Sequence, residues 1–175
     1  MRILILLLAL CPLFNQATVI TSNEQSFTIN IDIVVNADKM QAYQKFLNIG
    51  QWWSAEHTWF GKAENLSIDA RVGGCFCERA GEKQAMHMRV SYLAPGQEIK
   101  MLGGLGPLQM MAVNGAMSWK FEQINAKQTK ITFYYHVVGY LDGGLNKLAP
   151  IVDKVQQLQL TRLRRFINTG NADAS

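Results

Sequence analysis

Ile49-Gly50-Gln51-Trp52-Trp53-Ser54, followed closely by Trp59-Phe60-Gly61, is the stretch on which the reading of this chain turns. Three of the four tryptophans fall within eight residues. Aromatics this dense sit in a core or line a pocket. Upstream, Ser26 to Val35 sets Phe27, Ile29, Ile31 and Ile33 against Thr28, Asn30 and Asp32, the period-two pattern of a half-buried strand. Asn36-Ala37-Asp38 interrupts it. Asn36 or Asp38 can cap a helix in which Met40, Tyr43, Phe46 and Leu47 recur at helical spacing, and Gly50 ends it.

Downstream, strands are predicted at 66–70, 75–80, 85–93, 98–102, 116–123 and 130–138, with turns at Val72-Gly73-Gly74, Ala80-Gly81-Glu82-Lys83, Ala94-Pro95-Gly96 and Asn125-Ala126-Lys127-Gln128. Pro150 suits the first turn of a last helix running to about Ile167, with Val152, Val155, Leu163, Phe166 and Ile167 on one stripe. Successive hairpins make an antiparallel meander. The expected fold class is α+β: a curved antiparallel sheet of about six to seven strands around the long C-terminal helix, with a cavity between them.

At this point the chain resembles the SRPBCC superfamily, the START-like helix-grip proteins, and within it most of all the group named after activators of the heat-shock ATPase. The resemblance covers roughly Phe27 to Ile167. It rests on the opening strand into the Asp38–Leu47 helix, Gln51-Trp52-Trp53, Val72-Gly73-Gly74-Cys75-Phe76, the Tyr92-Leu93-Ala94-Pro95-Gly96 turn and Gly103-Gly104-Leu105-Gly106-Pro107-Leu108. It implies the helix-grip fold and a family range from lipid carriers through polyketide cyclases to co-chaperones. It does not settle function.

The N-terminus reads as a secretory signal over residues 1–17. Arg2 is followed by the unbroken apolar run Ile3 to Leu10, too short to span a bilayer, and by small or polar residues up to Ala17. Leu8-Ala9-Leu10-Cys11 faintly resembles a lipoprotein box, but Leu10 is bulky for the position before the cysteine, which argues against lipidation. The expected organisation is a leader (1–17), one domain (25–168) and a small, polar, flexible tail (169–175), with the mature protein periplasmic or secreted and without stable membrane insertion. Loss of Arg2 with the leader takes the net charge from +4 to +3. No Lys/Arg tract is interleaved with aromatics, which argues against nucleic acid.

Cys75 and Cys77 sit two apart on a predicted strand, with Cα atoms about 6.5 Å apart and parallel Cβ vectors. A bridge between them would be strained, so two small buried hydrophobes are expected. No Ser-His-Asp order, phosphate loop, His-x-x-x-His or paired-carboxylate motif is present, so neither metal nor cofactor is indicated.

The candidate ligand-binding residues follow from these patterns. Trp52, Trp53 and Trp59 either form an aromatic lip or pack under the first helix. Leu105 and Met111 belong to a Gly-rich loop that can gate a cavity. Phe76, Trp119, Tyr135 and Val152 lie on inward faces, while Gln156 and Gln159 fall inside the helix stripe and could orient a ligand. Glu78 shares a face with Phe76, and His87 and Arg89 could meet it across the hairpin as an acid–base group. Alternation, however, makes Met86, Met88, Val90 and Tyr92 the inward set and leaves His87 and Arg89 on a solvated ionic face. His57 and His136 carry no pattern and are assigned to the surface. The expected function is holding a small hydrophobic or amphipathic molecule. The alternatives are a cyclase- or dehydratase-like enzyme using Glu78 and His87, or a co-chaperone-like module for a protein partner.

Overall fold

Period-two alternation builds the sheet. The computed structural model describes residues 18–174; the expected leader, Cys11 included, lies outside them. Eight strands form one antiparallel sheet: β1 (Val19–Ser22), β2 (Ser26–Val35), β3 (Leu66–Ile68), β4 (Cys75–Ala80), β5 (Lys83–Ala94), β6 (Glu98–Leu102), β7 (Asn114–Asn125) and β8 (Gln128–Val138). Their order is β1-β2-β8-β7-β6-β5-β4-β3, so β3 to β8 is a meander and β2 closes onto β8. The sheet therefore begins six residues before the expected start of the domain. β1 is four residues long and too short to alternate.

Helix α1 (Lys39–Leu47) links β2 to β3, and α2 (Ala149–Thr169) lies against the sheet and α1. The Asp38 side chain accepts from the Gln41 N–H and caps α1. Gly50 plays a different part from the helix stop expected of it: it lies in a 3-10 turn at Ile49–Gln51, where a Cβ would approach Ala63 O to 3.0 Å. Lys45 donates to Ile167 O at 2.8 Å, satisfying a carbonyl of the last turn of α2. Gly170, at φ +83°, ends α2 two residues beyond the predicted limit. Past it Ala172 is buried and Asp173 pairs with Arg162, so these residues of the expected flexible tail lie against the body.

The core fills the space between the sheet and both helices. Phe46 packs on Trp52, Trp119 and Phe121 with ring centroids 6.1, 4.9 and 5.5 Å apart. Trp52 and Trp53 are both inside, because the chain turns rather than extends there and neighbouring side chains need not oppose each other.

Strand β5 departs from simple alternation. Phe76 pairs with Met88 but Cys77 pairs with Met86, so His87 is an extra residue in the ladder. A second irregularity follows at Ser91, between the Val90–Met101 and Tyr92–Lys100 pairs. Each bulge moves the following side chains to the other face. His87 and Met88 are consequently both buried, and Met86 and Tyr92, assigned inward by alternation, are exposed. At the same place Cys75 and Cys77 are joined as a disulfide, their Cα atoms 5.3 Å apart. The spacing of a regular strand had argued against that bridge; the shortened spacing here lies within the usual range.

Candidate functional site

A cavity of about 380 Å³ lies between α2, the segment 53–59, the sheet at β3 to β5 and the loop 105–111. Its walls are Trp53, Trp59, Leu66, Phe76, Leu105, Pro107, Leu108, Met111, Leu148, Ile151, Val152 and Val155; Glu56, His57, Thr58, His87 and Gln156 supply polar groups. Trp59 is 45% exposed, placing it at the rim. Among the described residues, no three His, Cys, Asp or Glu side chains come together as a metal set.

At one end of the cavity Glu78 and His87 form a buried pair. Glu78 is 0% exposed and His87 4%. The Glu78 carboxylate accepts the N–H of Trp59 at 2.8 Å and of Phe60 at 2.7 Å, and faces His87 Nε2 at 3.3 Å. Its first duty is thus to fold the segment carrying Trp59 onto the sheet. Phe76 packs on the imidazole, centroids 5.0 Å apart. Arg89 lies on the exposed face and takes no part.

Burial pushes His87 below the ordinary histidine range, against the opposing pull of the hydrogen bond and charge of Glu78. The unfolded chain then takes up a proton near pH ~6.5 that the folded protein refuses. The His87 contribution to stability is complete above that pH, falls as the pH drops below it, and levels off beneath the folded-state pKa. Urea midpoints between pH 8 and pH 5 should show this fall, and His87→Phe should remove the part carried by this ring.

Opposite, α2 reads the backbone of the tryptophan segment. Gln159 Oε1 accepts the Ser54 N–H at 2.9 Å and Gln159 Nε2 meets His57 Nδ1 at 3.3 Å. Arg162 Nε donates to Trp52 O at 2.8 Å. Gln156, 2% exposed, lines the cavity. Two buried polar atoms near this space have no partner among the described residues: His87 Nδ1 and Gln156 Oε1.

Two side chains, Tyr135 and Gln109, tie the loop 103–111 to the sheet. Leu105 N–H donates to the Tyr135 hydroxyl at 3.2 Å, and Gln109 Nε2 donates to the bulge carbonyls of Met86 and His87. Burial pushes the Tyr135 phenol up to about 12, so it stays neutral. Tyr135→Phe leaves the Leu105 N–H buried without an acceptor and should cost about 1–3 kcal/mol. A lowered urea midpoint together with faster amide exchange at Leu105 would show it.

Of the sequence-derived candidates, the fold brings Trp53, Trp59, Phe76, His87, Leu105, Met111, Val152 and Gln156 to the cavity wall. Trp52 and Trp119 lie deeper, in the aromatic core around Phe46. Glu78, Tyr135 and Gln159 stand behind the wall, with polar atoms committed to Trp59 and Phe60, Leu105 and Ser54 respectively. His57, assigned to the surface, lines the cavity; its closeness to the tryptophans was the one available signal. His136 is half-buried and meets Thr28 Oγ1 at 2.8 Å. Leu148 and Ile151, at the start of α2, were not singled out by the stripe.

Neither a family model nor a curated protein sequence matches the chain. Solved structures do. The Aha1 dimer from Colwellia psychrerythraea is similar at 17% identity and TM-score 0.60, over 82% of this chain and 97% of that one. A conserved protein of unknown function from Enterococcus faecalis, EF2215, is similar at 14% identity and TM-score 0.58, over 88% and 77%. The di-domain ARO/CYC BexL from the BE-7585A biosynthetic pathway is similar at 20% identity and TM-score 0.54, over 79% of this chain and 45% of that one. At these identities the likeness is one of architecture. What this chain shares with these structures is the fold: an antiparallel sheet, eight-stranded here, packed around a long C-terminal helix in the helix-grip arrangement.

Proposed function

We propose that this chain holds a small hydrophobic or amphipathic molecule in the cavity between the sheet and α2. The observation that carries the reading is a largely apolar cavity of about 380 Å³ in whose surroundings two buried polar atoms, His87 Nδ1 and Gln156 Oε1, lack partners among the described residues. Apolar walls supply affinity at about 25 cal/mol per Å² buried, reduced by ordering costs. A few polar groups supply orientation. The test is native mass spectrometry of the protein purified from its own host, beside Val152→Trp, which fills the cavity from α2. A stoichiometric small-molecule adduct on the wild type and none on the variant is expected. An adduct of equal occupancy on both would remove the cavity as the binding place.

A second reading is favoured by the pair at the cavity end. A carboxylate that orients an imidazole, whose other nitrogen is free, is the arrangement of a general base. On that reading His87→Phe would retain the bound compound but abolish its conversion. We further propose that residues 1–17 direct export, on the strength of the apolar run Ile3 to Leu10 behind Arg2. The same spectra test this, through a mass matching residues 18–175 and recovery outside the cytoplasm.

A further inference from the structure

We infer that the occupant of the cavity is an uncharged amphiphile, an alcohol or phenol, whose hydroxyl donates to His87 Nδ1, and that carboxylates are turned away. This rests on the cavity reading above and assigns its polar end.

The tautomer of His87 is fixed by its neighbour. Both oxygens of Glu78 already take backbone N–H groups, so the carboxylate acts at this corner only as an acceptor. The hydrogen facing it must come from His87 Nε2, 3.3 Å away. Burial keeps the ring neutral at pH 7, the Glu78 interaction opposing but not overcoming it. Nδ1 is then a bare lone pair. It is buried, on a residue of the cavity wall, and without a partner among the described residues. Gln156 Oε1, from α2, is a second acceptor in the same condition. A buried acceptor without a donor is unfavourable, and a donor on the occupant relieves it.

The walls decide the charge. Among the described residues, no Lys or Arg lines the cavity. Among the described residues, the titratable group in contact with His87 is Glu78 on β4, and those sharing the cavity wall with it are Glu56 and His57. A carboxylate on the ligand would lose water, meet two lone pairs, and lie close to Glu78 with no cation to offset it. A hydroxyl carries one hydrogen, which it can donate to His87 Nδ1, and brings no charge. Trp53, Phe76, Leu105, Met111 and Val152 take the apolar body.

A matched set of bicyclic probes separates the possibilities: 2-naphthol, naphthalene, 2-naphthoate and (2-naphthylmethyl)ammonium, titrated at pH 7.5 into protein labelled with ¹⁵N at histidine. One neutral hydrogen bond predicts 2-naphthol binding about fivefold more tightly than naphthalene, with 2-naphthoate weaker than both. In the free protein His87 should show a protonated Nε2 and a bare Nδ1, and 2-naphthol alone should move the Nδ1 resonance upfield. His87→Phe should erase the preference for naphthol while keeping naphthalene. Should that variant not fold, the wild-type nitrogen spectrum decides by itself. Equal binding of naphthol and naphthalene, or a tighter naphthoate or ammonium probe, would overturn the assignment and leave the cavity reading standing. No binding by any probe would overturn this inference and count against the cavity reading as well.

Discussion

Trp52→Ala should lower the stability of the folded domain by about 3–5 kcal/mol, the usual range for deleting a buried tryptophan. At about 2–4 °C per kcal/mol for a domain of this size, the thermal midpoint should fall by roughly 10 °C. Trp52 is 0% exposed and joins three layers of the fold. Its ring packs on Phe46 of α1, Trp53 of the following segment and Trp119 of β7. Its Nε1 donates to Phe46 O at 2.9 Å and its carbonyl takes Arg162 Nε of α2. Truncation removes the packing and leaves the Phe46 carbonyl short of a donor. Trp59→Ala, at the exposed rim, should leave the urea midpoint nearly unchanged and act on ligand binding. Equal stability losses from the two variants would contradict this division of the tryptophans between core and cavity.

Glu78→Leu should be nearly as severe, at about 3–5 kcal/mol, because one carboxylate serves three donors in a buried corner. The Trp59 and Phe60 amides and His87 Nε2 all lose their acceptor. Glu78→Gln keeps one acceptor oxygen and should cost about 1–2 kcal/mol. Two further readouts separate this from a general loss of packing. The Trp59 and Phe60 amides should exchange faster than the rest of the sheet. His87 should become still harder to protonate, since Glu78 pulls its pKa upward. Unchanged exchange at both amides would show that another group holds that segment.

The residues that were legible in advance are those whose surroundings are regular. β2, β7 and β8 alternate because each has one dry face, and their strands extend the predicted limits by at most two residues. Gln156 and Gln159 were found because the rotation of a helix per residue is fixed. β5 was misread because a bulge changes the phase of alternation without requiring any particular residue, so nothing in Met86-His87-Met88 announces it. The Cys75–Cys77 bridge was missed for the same reason, the distance having been taken from a regular strand. The support roles of Glu78, Tyr135 and Gln159 were invisible because their partners are backbone groups of segments distant in sequence. A side chain identifies itself in a sequence; the N–H it holds does not.

The bulge at His87 also decides how the cavity mouth and its polar end are related. Gln109 secures the 103–111 loop by holding the Met86 and His87 carbonyls, at the distortion that turns the imidazole inward. The Gln109 anchor of the loop and the seat of the imidazole are therefore one piece of backbone. A substitution that frees Gln109 releases the carbonyls on both sides of the imidazole's backbone position. The coupling runs through the Gln109 end of the loop alone: the Leu105 end hangs on the Tyr135 hydroxyl and is free to keep its place whatever the imidazole does.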